Sequence, residues 1–158
     1  MTRGEEEALS NESMSASDRL DVIEAVNRLF IATDRRDWES VRRCFHDPVT
    51  IDMSSVGAGP AREMTPSGIA KQWETGLAAL QGIHHQAGNY LVTVEGNRAT
   101  VFCYGIAVHY LENASGRNTR TFVGTYDFQL SCETGPWLIT EMRFNLKWVD
   151  GNPNLESS

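Results

Sequence analysis

Long apolar runs are missing from this sequence. The longest is Val101 to Val108, eight residues that include Gly105, far short of the roughly 20 that a membrane-spanning helix needs. The N-terminus carries Glu5-Glu6-Glu7 and no apolar stretch of the kind found in a secretory leader. Blocks of basic residues are missing too. The pairs Arg35-Arg36 and Arg42-Arg43 are diluted by neighbouring acids, and the net charge is -7. Neither a nucleic acid nor a membrane is therefore an expected partner. Cysteine is scarce: Cys44, Cys103 and Cys132 make an odd number with no Cys-x-x-Cys spacing, which supports neither a disulfide framework nor a zinc knuckle. A reducing, cytoplasmic setting is the expectation, and the sequons at Asn11 and Asn113 are then chance matches. No Gly-Lys-Ser/Thr follows the Gly57, Gly59, Pro60 loop, so a Walker phosphate cradle is excluded. Internal repeats and domain boundaries are absent as well.

What is present fits one domain. A chain of 158 residues with 41% apolar and 22% charged residues is long enough to bury a core without disulfides or metals. Residues 1–16 are polar, acidic and aperiodic and are expected to form a flexible tail. Ser17 is an expected N-cap. After it Val22, Ile23, Val26, Leu29 and Phe30 recur at helical spacing up to about Asp34. Asp37 caps a short second helix, 38–45, with Pro48 beyond its end. Residues 49–53 read as a strand and 54–63 as a loop. Thr65-Pro66 opens a third helix through Ile69, Trp73, Leu77 and Leu80, stopped at Gly82.

From Ile83 the hydrophobic period changes to two. Segments 83–95, 98–112, 119–132 and 136–149 read as strands joined by tight turns. Helices first and a hairpin meander second give an α+β domain over 17–150, with a C-terminal tail at 151–158. The strand from Arg98 is two-faced. Ala99, Val101, Cys103, Gly105, Ala107 and His109 share one side, and Phe102, Tyr104, Ile106, Val108 and Tyr110 the other. Helices cover one side only. The small-residue side leaves room for a cavity, and the large-residue side is expected to be covered by a second copy, making a homodimer.

Asp34 continues the buried stripe of the first helix, where a carboxylate needs a partner or gains a raised pKa. It is a candidate general base, or the group that orients a catalytic histidine; the alternative is a helix-end cap. Of His84 and His85, alternation sends one inward. His109 lies on the small-residue face of the next strand. Two inward histidines and one inward Asp raise the expectation of an acid–base site over a metal site, because no His-x-His or helical ligand spacing is present. Trp73, Cys103, Tyr126 and Asn145 are candidate substrate contacts and Arg120 a further candidate, while Arg143 and Lys147 read as a solvated face; the pattern leaves open which face of the last two strands lines the cavity, and no cofactor is expected. Cys44 and Cys103 have no base beside them in sequence, so thiolate catalysis is unsupported.

The order Asp34-Arg35-Arg36-Asp37-Trp38, loop, amphipathic helix, Ile83-His84-His85-x-x-Gly88-Asn89, and a meander ending Gly135-Pro136-Trp137-Leu138-Ile139 resembles the SnoaL-like branch of the nuclear transport factor 2 superfamily over residues 17–149. The resemblance implies a cone: three helices on a strongly curved, mainly antiparallel sheet around a pocket. It also implies a dimer. The pattern is similar to that of scytalone dehydratase, whose Asp–His pair falls on Asp34 and His85 and whose second histidine falls near His109. Thr33 and Met53 stand where that enzyme has tyrosines. The implied function is cofactor-free lyase or isomerase chemistry on a small hydrophobic cyclic molecule. In it His85 removes a proton, Asp34 holds His85, and His109 binds or protonates the leaving oxygen. A polyketide-cyclase-like enzyme, and a non-catalytic dimeric binding or structural subunit, are the alternatives.

Overall fold

In the computed structural model, Val22, Val26 and Leu29 are completely buried and Phe30 nearly so, which makes the apolar stripe of the first helix the floor of the core. Each such side chain contributes roughly 1.5–3 kcal/mol relative to exposure. The structure describes the backbone of residues 3–157 and the side chains of residues 16–157. Helix α1 spans Arg3–Asp34. Ser17 therefore lies inside the helix instead of capping it, and the backbone of residues 3–16, expected as a tail, is part of α1; residues 1 and 2 lie outside the described residues. Glu, Ala, Leu and Met, all strong helix formers, supply eight of the 14 residues from 3 to 16.

Helix α2 spans Trp38–Arg43, capped by Asp37, whose carboxylate accepts from the Ser40 N–H at 3.1 Å. Strand β1 is Phe45–Asp52, followed by a 3-10 turn at Ser54–Val56 and a three-residue strand β2, Arg62–Met64, which overlaps the end of the stretch expected as loop. Pro48 sits within β1, after a cis Asp47–Pro48 peptide. It is tolerated there because pairing with the neighbouring strand is interrupted between Phe45 and Thr50. Helix α3 is Pro66–Gly76, capped by Thr65 as expected. It ends six residues before Gly82, which opens β3 instead (Gly82–Glu95). Strands β4, β5 and β6 are Arg98–Tyr110, Thr119–Ser131 and Leu138–Gly151.

The six strands form one sheet in the order β2-β1-β6-β5-β4-β3. All neighbours are antiparallel except β1 and β6, which run parallel. The sheet is thus mixed, mainly antiparallel, with three helices on its concave side. Three bulges interrupt its antiparallel pairings. One surrounds Asn89, whose φ is 55°. A second makes Lys147 the extra residue, since Val123 pairs with Trp148 and Gly124 with Leu146, and a third makes Thr140 extra, since Gln129 pairs with Glu141 and Leu130 with Ile139. Such insertions sharpen local twist and re-aim side chains.

Arg36 closes the structure behind the site. Its φ is 57°, and its guanidinium donates to the carbonyls of Leu77 (2.9 Å) and Leu80 (2.6 Å). It joins the end of α1 to the turn after α3, where the Leu77 carbonyl also accepts the Leu80 N–H at 3.2 Å. The C-terminal residues return to the fold: Leu155 is fully buried with Leu80 and Ile83, and Asn152 donates its N–H to the Thr119 carbonyl at 2.7 Å. The expected tail at 151–158 is therefore anchored to the fold at Asn152 and Leu155, and Ser158 lies outside the described residues. Among the described residues, no helix is long and apolar enough to cross a membrane.

Candidate active site

Two adjacent strands and the end of α1 build the site. On β3, His85 pairs with Ala107 of β4, and Ile83 pairs with His109. The pleat therefore puts His85 and His109 on the same, concave face and sends His84 outward, where it is exposed. The last residue of α1 meets β3 here. Asp34 Oδ1 lies 2.6 Å from His85 Nδ1, and Asp34 Oδ2 accepts the His85 backbone N–H at 2.8 Å. One carboxylate thus holds both the ring and the backbone of one residue. The two side chains are 19% and 14% exposed, Asp34 first, so the pair is largely withdrawn from water. Phe30, one turn before Asp34, stacks on the imidazole at 5.3 Å and 18°. A carboxylate at Nδ1 requires a proton on that nitrogen, which leaves Nε2 as the ring's remaining nitrogen.

The concave face encloses a pocket of about 440 Å³, within the range of small-molecule sites. His85, His109, Trp73 and Tyr126 all line it. Tyr126 is 4% exposed and lies between Phe30 and Phe144, at 5.0 and 4.7 Å between ring centres. Burial pushes its phenol well above the ordinary range, so it stays protonated. His109 is held by Arg120, its partner across β4 and β5, with Nη2 3.2 Å from Nδ1. Burial, then the Arg120 charge and His85, push the His109 pKa down to about 4, against smaller opposing contributions from Glu156 and Asp34.

Two expected contacts lie elsewhere. Asn145 is on the convex face, because alternation along β6 turns Met142 and Phe144 inward. Its amide donates to Thr125 Oγ1 (3.2 Å) and Asp127 Oδ2 (2.8 Å). Cys103 faces inward but is fully buried in the core and is not among the pocket-lining residues. Burial raises its thiol to about 12 and that of Cys44 to about 11, so neither supplies a thiolate near neutral pH. Among the described residues, no three His, Cys, Asp or Glu side chains converge as a metal-binding group. Residues that sequence reasoning did not place in the pocket include Phe30, Phe122 and Phe144. Phe30 was legible in the helical stripe that ends at Asp34. A second groove of about 380 Å³, between α1, α2 and Trp137, is bordered by Arg28, Arg35 and Arg43 and has no comparable acid–base pair.

A model of the SnoaL-like domain matches residues 14–143. The chain belongs to the SnoaL-like domain family. No protein of curated function matches the sequence. Solved structures similar to this SnoaL-like domain extend over nearly its whole length. The Kfla4162 protein of Kribbella flavida is 24% identical with a TM-score of 0.85, over 90% of this chain and 99% of that one. A candidate scytalone dehydratase from Novosphingobium aromaticivorans is 13% identical with a TM-score of 0.77, over 89% and 91%. A hexachlorocyclohexane dehydrochlorinase of Novosphingobium barchaimii is 15% identical with a TM-score of 0.67, over 88% and 95%. At these identities the likeness establishes the cone fold.

Proposed function

We propose that this SnoaL-like domain is a cofactor-free lyase or isomerase that removes a proton from a hydrophobic cyclic substrate. The observation that carries the proposal is the 2.6 Å contact between Asp34 and His85 at the wall of an aromatic-lined pocket. In this mechanism Asp34 holds the proton on Nδ1, so Nε2 presents a lone pair to a C–H beside a carbonyl. The imidazolium formed on proton abstraction is stabilised by the same carboxylate. His109 holds the substrate oxygen. Where a hydroxyl or halide lies β to the carbonyl, the carbanion expels it and a double bond forms. Where none does, reprotonation moves the double bond or inverts the centre. The names of the dehydratase and dehydrochlorinase relatives support this reaction class.

The test is a panel of cyclic β-hydroxy and β-halo ketones in D₂O with a chelator present. NMR reads exchange of the α-proton, and absorbance reads formation of the conjugated product. The expected result is exchange or elimination by the wild type, with both lost in His85→Gln. Compounds that bind while neither process occurs would overturn the proposal in favour of a binding module.

We further infer that two copies pair through the convex sheet face. Ile106, Val123 and Trp148 are cross-strand neighbours there. Tyr104, Ile106, Tyr110 and Trp148 are 46%, 41%, 41% and 55% exposed, a contiguous apolar patch of the kind that marks interfaces. Light scattering should give twice the 17.6 kDa chain mass, and Ile106→Asp should return it to one. A monomeric wild type would overturn this.

A further inference from the structure

The C-terminal segment reaches the pocket through two charged side chains. Leu155 anchors the segment in a small apolar cluster with Leu80 and Ile83. Next to it, Glu156 accepts two hydrogen bonds from Arg120, at 2.6 and 2.8 Å, in a bidentate pair. Arg120 is only 15% exposed on its side chain. Its Nε is buried with no hydrogen-bond partner among the described residues. Its Nη2 also reaches His109 Nδ1 at 3.2 Å. The guanidinium lies over Phe122 at 5.3 Å, and the same ring meets His109 edge-on. Two anchors thus fix the plane of the arginine fork, a bidentate carboxylate at one end and an aromatic face beside it.

The chemistry of the contact sets the state of the histidine. Arginine stays protonated and has only donors. The nitrogen it touches must therefore be an acceptor, so the single ring proton of His109 lies on Nε2. At His85 the partner is a carboxylate, an acceptor, and the ring proton lies on Nδ1. Two imidazoles on one wall carry opposite tautomers because their outer partners have opposite polarity.

We propose that Glu156, acting through Arg120, locks His109 as a neutral Nε2–H donor, making Arg120 and Glu156 positioning residues for the oxygen of a carbonyl substrate. This rests on the proton-abstraction function proposed above and gives the physical reason why His109 holds the oxygen in it. A neutral imidazole whose Nδ1 faces a guanidinium resists protonation, so His109 holds the oxygen instead of giving it a proton. Such a donor is suited to an oxygen that gains charge as an enolate forms. The substrate class is accordingly a ketone or lactone with an acidic α C–H. The groups facing His109 that bear on its titration are Arg120 and Glu156 on one side and His85 and Asp34 on the other; their combined effect, with burial, is to favour the neutral ring.

The test needs no substrate. The chain has four histidines, and imidazole ¹⁵N NMR of the full-length protein, assigned with His109→Gln, reads the tautomer and titration of each. In the wild type His109 is expected as the Nε2–H tautomer from pH 8 to 5, with protonation only near pH 4. In Arg120→Met the tautomers should mix. The titration should then rise toward the ordinary value of about 6.5 without reaching it, because the ring stays buried. His85 should remain in its Nδ1–H form, which controls for the fold. Glu156→Gln should loosen Arg120 and produce part of the same change. An Nδ1–H or protonated His109 in the wild type at pH 6 would overturn the proposal, and so would an unchanged signature in Arg120→Met. The wild-type spectrum decides even if a variant does not fold. Failure of the ketone panel with the expected tautomer present would count against the reaction and leave the lock standing.

Discussion

Asp34→Asn is expected to lower kcat/KM on any compound the wild type turns over by about 10²–10⁴-fold while leaving the protein folded. The size follows from polarity. Asp34 accepts two hydrogen bonds from one residue, the His85 backbone N–H and the ring Nδ1–H. Asparagine has the same shape but only one accepting atom. The backbone N–H is an obligatory donor and takes the amide oxygen. The amide NH₂ then faces Nδ1 and forces the ring proton onto Nε2, the atom proposed to accept the substrate proton. The base disappears without any change in packing. Imidazole ¹⁵N NMR should show the switch at His85 directly. Because the two residues act as a unit, Asp34→Asn/His85→Gln should be about as slow as either single variant. An Asp34→Asn protein as active as the wild type would overturn the mechanism, and an unchanged His85 tautomer would remove its physical cause.

How far the sequence foretold this site depends on the range of the interactions involved. Asp34 was legible because it extends a helical stripe by one turn beyond Phe30, a purely local relation. Trp73 was legible by the same kind of periodicity in its helix, whereas Tyr126 was a candidate whose orientation the pattern of its strand left open. The choice between His84 and His85 rests on the phase of β3, which apolar neighbours such as Ile83 specify. Asn145 was misplaced because β6 has bulky residues in one phase and polar ones in the other, so that either could line a cavity mouth. The curvature and the bulge at Lys147 resolve the ambiguity, and neither is written in the local pattern. Strand β2, three residues long between loops, lies below what periodicity can detect. Glu156 was out of reach altogether. Its partner Arg120 is 36 residues away, and the expectation of a tail at 151–158 gave no reason to connect them.

The space under β4 supplies the second large effect. The small-residue face was expected to leave room for a cavity, and at Gly105 that room is filled by a ring. A Cβ placed on Gly105 would stand 2.1 Å from Cε2 and 2.5 Å from Cδ2 of Tyr126, distances that no relaxed structure holds. Tyr126 cannot swing aside within the core. Phe30, Phe128 and Phe144 surround it at ring-centre separations of 5.0, 5.6 and 4.7 Å, and the interior is close-packed. The open direction is the pocket it lines. Gly105→Ala is therefore expected to push the phenol ring into the cavity and to destabilise the protein by about 1–3 kcal/mol, as overpacked cores do. For a chain of this size each kcal/mol lowers Tm by about 2–4 °C. Ligand affinity should fall with stability, because the displaced ring occupies the substrate's space. A double-mutant cycle assigns the cause. In a Tyr126→Ala background the alanine at 105 meets no ring, so its cost should largely vanish and the two changes should be strongly non-additive. Equal costs in both backgrounds would mean that the glycine matters for its backbone alone, and that Tyr126 is not what the missing Cβ makes room for.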